Sequence, residues 1–208
     1  MLIVMALVRF NSPGPVFYRQ ERVGYRRRSF MLFKFRTMHV NADTRTHEEY
    51  VANLIRSQLP MVKLDASGDS RLIRGGRFLR ASGLDELPQI FNVLRGEMSL
   101  VGPRPCLPAE LERYEEWQYL RTHAPPGLTG YWQVNGKNNT TFNEMIAMDI
   151  FYIRNMSAAA DLRIMFRTPS VLIDQAKKCL ASRFGIASRS AMAPLEVPAA
   201  RSGSANGR

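Results

Sequence analysis

The sequence has little cysteine, few histidines and no long apolar run, and each shortage excludes a class of protein. Two cysteines in 208 residues, Cys106 and Cys179, do not make the framework of a disulfide-stabilised secreted domain. The three histidines have no partners at metal-ligand spacing, which excludes a zinc-finger interpretation. The first eight residues are apolar, but a membrane-spanning helix needs about 20 such residues in succession.

Acidic side chains are also scarce relative to basic ones. Lys and Arg number 29 against 18 Asp and Glu, which gives a formal net charge of +11. Such a surface favours polyanions, namely nucleic acid, anionic lipid headgroups or phosphorylated substrates. Composition leaves these three partners open. The hydrophobic content of 45% is that of a globular chain, and its length suits one domain with a core.

Turn-forming residues divide the chain into short elements of both kinds. The breaker at residues 11–15 separates an apolar start from two aromatic-rich segments, 16–20 and 30–36, which predict a β-hairpin. Thr141 and Glu144 form a capping-box pattern that predicts a helix to about Ile153. Further helices are predicted over four segments, the first from a weak pattern only: residues 42–58, 87–95, 107–123 and 159–184.

The segment LDELPQ, residues 84–89, carries the densest chemistry. Asp85 and Glu86 are adjacent carboxylates directly before a predicted helix, whose free N–H groups attract anions. Carboxylates together with substrate phosphates are the usual surroundings of Mg²⁺, and a carboxylate can also attack phosphorus to form an acyl phosphate. For this segment alone, a helix cap at Asp85 and a dipole-complementing Glu86 is the simpler interpretation.

A second candidate is Arg104, which stands between Pro103 and Pro105. The two prolines stiffen the loop, and a rigidly held guanidinium is a good fork for phosphate. A turn with a surface arginine is an equally good interpretation of this segment alone.

The chain as a whole resembles the bacterial sugar transferases, the monotopic polyprenyl-phosphate phosphoglycosyl transferases of polysaccharide and glycoprotein pathways. The resemblance is carried, in order, by GPVFYRQERVG at 14–24, FKFRTM at 33–38, LDELPQIFNVLRGEMSLVGPRP at 84–105, PGLTGYWQVNGK at 126–137, MDIFYI at 148–153 and DLRI at 161–164. Any one piece is weak, whereas the ordered set is highly specific.

The resemblance implies a reaction and a cofactor. Asp85 would attack the sugar-bearing phosphorus of a UDP-sugar and release UMP, and polyprenyl phosphate would then take the sugar phosphate from Asp85. Glu86 would help to hold Mg²⁺ or tune the site, so that Asp85 and Glu86 are the expected metal ligands. This agrees with the general logic of phosphoryl transfer, which depends on positioning and charge neutralisation.

Further residues are candidates for binding substrate or phosphate. Lys34 and Arg36 end a predicted strand, with a solvated strand edge as the alternative. Arg80 is the last of a basic series that includes Arg71, Arg74 and Arg77. The remaining candidates are Arg104, Asp149 on the capped helix, with an ion pair as its alternative, and three residues of a glycine-containing loop: Gln133, Asn135 and Lys137.

The expected fold is α+β, a mainly helical catalytic domain over residues 13–180 with a small β-hairpin and membrane-interfacial amphipathic helices. Residues 1–12 are interpreted as the remnant of a membrane-dipping segment, and residues 187–208 as a disordered tail. The resemblance places the protein at the cytoplasmic face of the bacterial inner membrane, with a UDP-sugar, polyprenyl phosphate and anionic lipids as partners. A homodimer is left open.

Two other functions compete with this one. Family members usually begin with a longer hydrophobic segment, so the chain is alternatively an impaired, truncated relative that serves as a membrane or assembly partner. The net charge alternatively indicates a basic nucleic-acid-binding protein. Against the latter, the sequence has no zinc-finger spacing, RNP-type motif or basic heptad helix, so no specific nucleic acid is expected. Against the former stand the intact Asp85-Glu86 and residues 102–105.

Overall fold

The β-hairpin and the long C-terminal helices frame a series of short helices that carry most of the candidate residues. The computed structural model describes residues 1–40, 42, 53–55, 57, 59–61, 69–137 and 139–183. Its α-helices are α1 (Leu2–Asn11), α2 (Gly76–Ser82), α3 (Ile90–Leu94), α4 (Pro108–Leu111), α5 (Tyr131–Asn135), α6 (Phe142–Arg154) and α7 (Ala158–Arg183). Its strands are β1 (Phe17–Val23), β2 (Ser29–Phe35), β3 (Ser99–Val101) and β4 (Gly127–Thr129), and 3₁₀ helices span Tyr25–Arg27, Leu84–Gln89 and Glu116–His123.

The predicted hairpin is confirmed, with each strand extended toward the turn. Strands β1 and β2 are antiparallel, and their register runs from Phe17 opposite Phe35 to Val23 opposite Ser29. Phe17 and Phe35 stack with their ring centroids 5.5 Å apart. The α+β, mainly helical fold class is therefore confirmed.

The apolar start of the chain is a helix with one buried face. Helix α1 ends at Asn11, directly before the proline- and glycine-containing breaker. Its residues Val4 and Val8 are buried against Phe35, Ile73 and Leu79. Its opposite face exposes Leu2, Ile3 and Phe10.

A short parallel strand pair, which the sequence does not predict, joins two distant segments. Strands β3 and β4 pair in parallel, Ser99 with Gly127 and Val101 with Thr129. Gly102 extends this contact, because its N–H donates to the Thr129 carbonyl at 2.9 Å. A Cβ on Gly102 would collide with the backbone of residues 125–127, so glycine is needed for this close approach.

Two predicted helices differ from the observed ones. The segment 107–123 was expected to be one helix, but it is divided into α4 and the 3₁₀ helix Glu116–His123. The second part starts separately because the Gln118 side chain accepts from the Glu115 N–H at 2.9 Å, and buried Gln118 also donates to Asn143 at 2.8 Å. The helix expected over 87–95 begins earlier, as the 3₁₀ helix Leu84–Gln89 with Pro88 inside it, and continues as α3.

The two C-terminal helices are confirmed. In α6, Thr141 and Glu144 form the predicted reciprocal capping box. One core surrounds α6 and includes Trp132, Met145 and Ile146. Helix α7 packs across α2, and Leu172 lies where a Cβ on Gly83 would point. Most of the helix expected over 42–58, and all of the tail 187–208, lie outside the described residues.

Among the helices of the described residues, none combines the length and the apolar character that a membrane span requires.

Asn92 fixes α3 to the open edge of the hairpin. Its side-chain amide donates to the Met31 carbonyl at 2.7 Å and accepts from the Phe33 N–H at 3.2 Å, so it takes the place of a third strand along β2. The amide also donates to Glu97 at 2.6 Å, and Asn92 is fully buried. Backbone groups that are shielded from water and left unpaired are costly, and this one side chain pairs two part-buried groups on the outer edge of β2.

We therefore expect Asn92→Ala to lower the free energy of unfolding by about 2–4 kcal/mol, because it leaves two part-buried backbone groups unpaired and a cavity where a fully buried side chain was. Denaturant titration followed by circular dichroism measures this. The matched control is Asn155→Ala, since Asn155 is exposed and its side chain donates to the Phe151 carbonyl of the adjoining helix α6; its effect should stay within about 0.5 kcal/mol. Equal effects of both substitutions would contradict the edge-pairing role.

Candidate active site

The 3₁₀ helix Leu84–Gln89 brings the carboxylates of Asp85 and Glu86 against the hairpin. It follows Gly83, whose φ of +71° is a left-handed conformation that glycine adopts without strain. Asp85 is buried and 8% exposed, while Glu86 is half-buried. Lys34 of β2 donates to Glu86 Oε1 at 2.7 Å, so two of the predicted site residues are in direct contact.

Arg22 is a site residue that was not singled out from the sequence. The strand register places Arg22 and Lys34 on the same face of the hairpin. The Arg22 guanidinium donates to the Gln20 side chain at 2.8 Å and to the Pro105 carbonyl at 3.1 Å. Its Nε is buried and has no hydrogen-bond partner among the described residues.

The charge of Arg22 interacts with charges on two neighbouring segments, the 3₁₀ helix Leu84–Gln89 (the Asp85 helix) and residues 103–106 (the Arg104 loop). Burial first, and then the positive charge of Arg104, lower the pKa of Arg22 to about 10, while Glu110 and Glu86 oppose the shift. The fold therefore holds two guanidiniums close enough to repel each other, with Glu86 within reach of their field. This is the electrostatic arrangement expected of a site for a polyanion.

Arg104 of the predicted phosphate fork is held by a buried carboxylate. Its Nη1 lies 3.2 Å and 3.3 Å from the two carboxylate oxygens of Glu110, which is 1% exposed. Burial favours the neutral form of Glu110, but Arg104, Arg22 and Arg121 together lower its pKa below the ordinary value. Glu110 is thus the shared counter-ion of three arginines.

Asp149 forms an ion pair, which was the alternative to substrate binding. Arg121 Nη2 lies 2.5 Å from Asp149 Oδ2, and both side chains are 1% exposed. The same guanidinium donates to the Tyr114 hydroxyl at 2.7 Å and to the Arg104 carbonyl at 2.8 Å. Burial opposes the charge of Arg121, but Tyr114 and Asp149 raise its pKa above the ordinary value. Asp149 is therefore linked through Arg121 to the backbone of Arg104.

For Arg36 and Arg80, both predicted to bind phosphate, the structure shows interactions with groups outside the 3₁₀ helix Leu84–Gln89. The buried guanidinium of Arg36 donates to the carbonyls of Ser12 and Pro13, each at 2.9 Å, and so ties the end of α1 to the end of β2. Arg80 stands in the last turn of α2, five residues before Asp85, and its charge helps to lower the pKa of Asp69 after the contribution of Arg71. Arg71 itself pairs with Asp69 at 2.7 Å.

The prediction of a loop at Gln133 and Asn135 is wrong, because both stand on helix α5. Gln133 Oε1 is buried and has no hydrogen-bond partner among the described residues. Asn135 accepts from Arg167 of α7 at 2.7 Å, and Lys137 donates to Gln175 of α7 at 3.2 Å. Asn135 and Lys137 are therefore hydrogen-bonded to α7, whereas the side-chain oxygen of Gln133 is a buried acceptor without a donor among the described residues.

The carboxylates of Asp85 and Glu86 suit a metal ion whose other ligands come from the substrate phosphates. Within the described residues, no group of three or more His, Cys, Asp or Glu side chains is placed to hold a metal ion. Asp85 and Glu86 offer adjacent carboxylates, with Glu86 Oε1 bound to Lys34. Mg²⁺ is commonly bound by one or two carboxylates plus substrate phosphates, so this donor pair fits Mg²⁺ better than a metal that needs a closed protein cage.

Comparisons with known proteins agree on one family. The family model described as bacterial sugar transferase matches residues 1–175. The chain is 39% identical over 175 residues to the exopolysaccharide production protein ExoY of Sinorhizobium fredii, covering 84% of this chain and 77% of that protein. It is 40% identical over 161 residues to the undecaprenyl-phosphate galactose phosphotransferase of Salmonella typhimurium, covering 77% and 34%.

A third relative is the UDP-glucose:undecaprenyl-phosphate glucose-1-phosphate transferase of Xanthomonas campestris pv. campestris, 40% identical over 183 residues. The match covers 84% of this chain and 35% of that protein. The chain thus spans about three quarters of the length of ExoY and about a third of the length of the other two relatives.

Glu110 generates a pH-dependent prediction. We expect Glu110→Gln to lower the free energy of unfolding by about 3–5 kcal/mol at neutral pH, because it leaves buried guanidiniums without their counter-ion. The pKa of Glu110 in the fold lies below the ordinary value of 4.5. Its contribution is therefore complete above that value and is lost as the pH falls through the folded-state pKa. Denaturant titrations between neutral pH and about pH 3 measure the difference.

The matched control is Glu112→Gln, which changes an exposed carboxylate two residues further along the chain. Its effect on unfolding should stay within about 0.5 kcal/mol at neutral pH. If the difference between wild type and Glu110→Gln were the same at every pH, Glu110 would not be the charged partner of these arginines.

Proposed function

The chain belongs to the bacterial sugar transferase family, and on this premise we propose that it transfers a sugar 1-phosphate from a UDP-sugar to polyprenyl phosphate, releasing UMP. The observation that supports this most is the position of Asp85. Asp85 is buried in the 3₁₀ helix Leu84–Gln89, and its neighbour Glu86 binds Lys34 on the hairpin face that also carries Arg22. Two relatives are named for transfer of galactose phosphate or glucose 1-phosphate to undecaprenyl phosphate.

The proposed reaction has two displacements at phosphorus. A carboxylate oxygen of Asp85 attacks the phosphorus that bears the sugar, and the bond from that phosphorus to the bridging oxygen breaks, so UMP leaves with the electron pair. A phosphate oxygen of the polyprenyl acceptor then attacks the same phosphorus and displaces the carboxylate of Asp85. The product is a polyprenyl diphosphate sugar, and the enzyme returns to its starting state.

The residues around Asp85 have distinct parts in this proposal. Lys34 and Arg104 neutralise the charge of the substrate phosphates, which is the main requirement of phosphoryl transfer. Glu86, held by Lys34, takes part in binding Mg²⁺ together with Asp85. When bound, Mg²⁺ supplies charge neutralisation at the phosphate oxygens. Gln133 offers its buried acceptor to a donor group on the nucleotide or sugar.

A membrane-surface position is part of the proposal, because the acceptor is a lipid. Helices α1 and α7 expose large apolar side chains, among them Ile3 and Phe10 on α1 and Phe166 on α7. The net charge of +11 favours anionic headgroups. Amphipathic helices of this kind bury one face in the interface of a bilayer. We propose the cytoplasmic face of the inner membrane, where the nucleotide-sugar is available.

We expect the purified chain, in nanodiscs with Mg²⁺ and polyprenyl phosphate, to release UMP from one or more UDP-sugars over many turnovers. Asp85→Asn should lower this rate on the order of 1000-fold or more, because it removes the nucleophile while keeping the side-chain shape. A luminescence assay of UMP over a panel of UDP-sugars measures the release and identifies the sugar.

The matched control is Asp174→Asn, which changes an exposed carboxylate on α7 and should leave the rate unchanged. UMP release that continues in folded Asp85→Asn would overturn the assignment of the nucleophile. Absence of release from every donor by folded wild type would instead favour the impaired-relative interpretation.

A further inference from the structure

Two buried arginines hold the backbone of the Arg104 loop without being part of the loop. Arg121 donates to the carbonyl of Arg104 at 2.8 Å, and Arg22 donates to the next carbonyl, that of Pro105, at 3.1 Å. Both guanidiniums are more than nine-tenths buried. They approach from distant parts of the chain, Arg22 from β1 and Arg121 from the 3₁₀ helix Glu116–His123.

The rest of the loop backbone is fixed in the same way. The Pro103 carbonyl accepts from the Gly127 N–H at 2.9 Å, and the Cys106 carbonyl accepts from the Val23 N–H at 2.9 Å. With Arg22 and Arg121, four consecutive carbonyls are therefore bound from outside the loop. Because Pro103 and Pro105 also restrict φ, what remains adjustable at residue 104 is its side chain.

The chemistry of these contacts is unusual for a merely structural purpose. Arg22 is a buried charge whose Nε has no hydrogen-bond partner among the described residues. Burial and the nearby Arg104 lower its pKa to about 10, which means that the fold disfavours its charged form. A methionine of similar length would avoid this penalty, and Glu110 would keep its ion pair with Arg104, so the fold does not require an arginine here.

We propose that Arg22 and Arg121 are positioning residues, which hold the Arg104 guanidinium where it meets the diphosphate of the nucleotide-sugar. Asp149 acts indirectly, because its carboxylate Oδ2 lies 2.5 Å from Arg121 Nη2 and so fixes the Arg121 guanidinium. This inference rests on the proposed function, in which Arg104 contacts substrate phosphate. A displacement of about 1 Å at such a contact costs on the order of 100-fold in rate, so a rigid loop is functionally valuable.

The test uses variants that remove the backbone contacts without leaving an unpaired buried charge. Arg22→Met removes one of them, and Arg121→Met combined with Asp149→Leu replaces the ion pair by apolar groups, which is often neutral or stabilising. Arg104→Ala removes the phosphate contact itself. The control, Arg113→Met, deletes an exposed guanidinium that donates to the Ala109 carbonyl of α4 at 2.7 Å.

The measurements are the unfolding temperature, the Kd for UDP from calorimetry, and kcat/KM for the UDP-sugar. We expect Arg22→Met and the Arg121–Asp149 replacement to unfold no more than a few degrees below wild type, and to weaken UDP binding and kcat/KM about 10- to 100-fold. Adding Arg104→Ala to either should cause little further loss, because Arg104 is already displaced. Arg22→Lys, which keeps a donor for the Pro105 carbonyl, should recover part of the loss.

Full activity in stable Arg22→Met and in the stable Arg121–Asp149 replacement would overturn the proposal. The proposal would also be overturned if, in the combined variants, the loss of kcat/KM equalled the product of the two separate losses. Such independent effects would mean that Arg22 and Arg121 do not act through Arg104. Failure of the proposed function has a different signature, namely wild type that releases no UMP. In that case the Kd for UDP still decides the proposal, since it requires no turnover.

Discussion

The structure depends on the docking of one turn against the open edge of a two-stranded sheet. Each strand of a hairpin has one edge whose backbone groups the partner strand does not pair, and on β2 Asn92 pairs with the N–H of Phe33 and the carbonyl of Met31. This bond fixes the segment that begins with Asp85, and it places Glu86 within reach of Lys34. A requirement of backbone pairing and the geometry of the candidate site are therefore met by the same contact.

Charge burial is the second constraint. Three arginines and three carboxylates are buried among the described residues, where an unpaired charge is costly. Glu110 and Asp149 compensate Arg104 and Arg121, whereas Arg22 keeps a buried donor without a partner among the described residues. The positive charge of Arg104 helps to lower the pKa of Arg22, so a phosphorylated ligand bound beside these two guanidiniums would lower the energy of the site.

Much of the fold follows from local sequence signals, and the rest depends on contacts between distant segments. The hairpin, the Thr141 capping box and the end of α1 at the breaker have strong local patterns. The parallel pair β3–β4 has none, since each strand is three residues long and the partners lie 28 residues apart. Residues 107–123 look like one amphipathic helix, and only the Gln118 contact with Asn143 shows why they divide.

The same difference applies to the site. Asp85, Glu86 and Arg104 were predicted from their local chemistry and from the family-like runs that contain them, and Lys34 from its place at the end of a predicted strand. Arg22 also lies in a family-like run, and the alternation of side chains along paired strands places it on the same face as Lys34. Arg22 could therefore have been predicted from the sequence.

The central claim is that the buried carboxylate of Asp85 carries the sugar phosphate during transfer. The most direct measurement is the intact mass of the full chain after incubation with Mg²⁺ and its UDP-sugar in the absence of polyprenyl phosphate. The account predicts a mass increase of one sugar phosphate, located on Asp85 by peptide analysis and removed when polyprenyl phosphate is added. An enzyme that turns over with both substrates, yet never carries this group on Asp85, would contradict it.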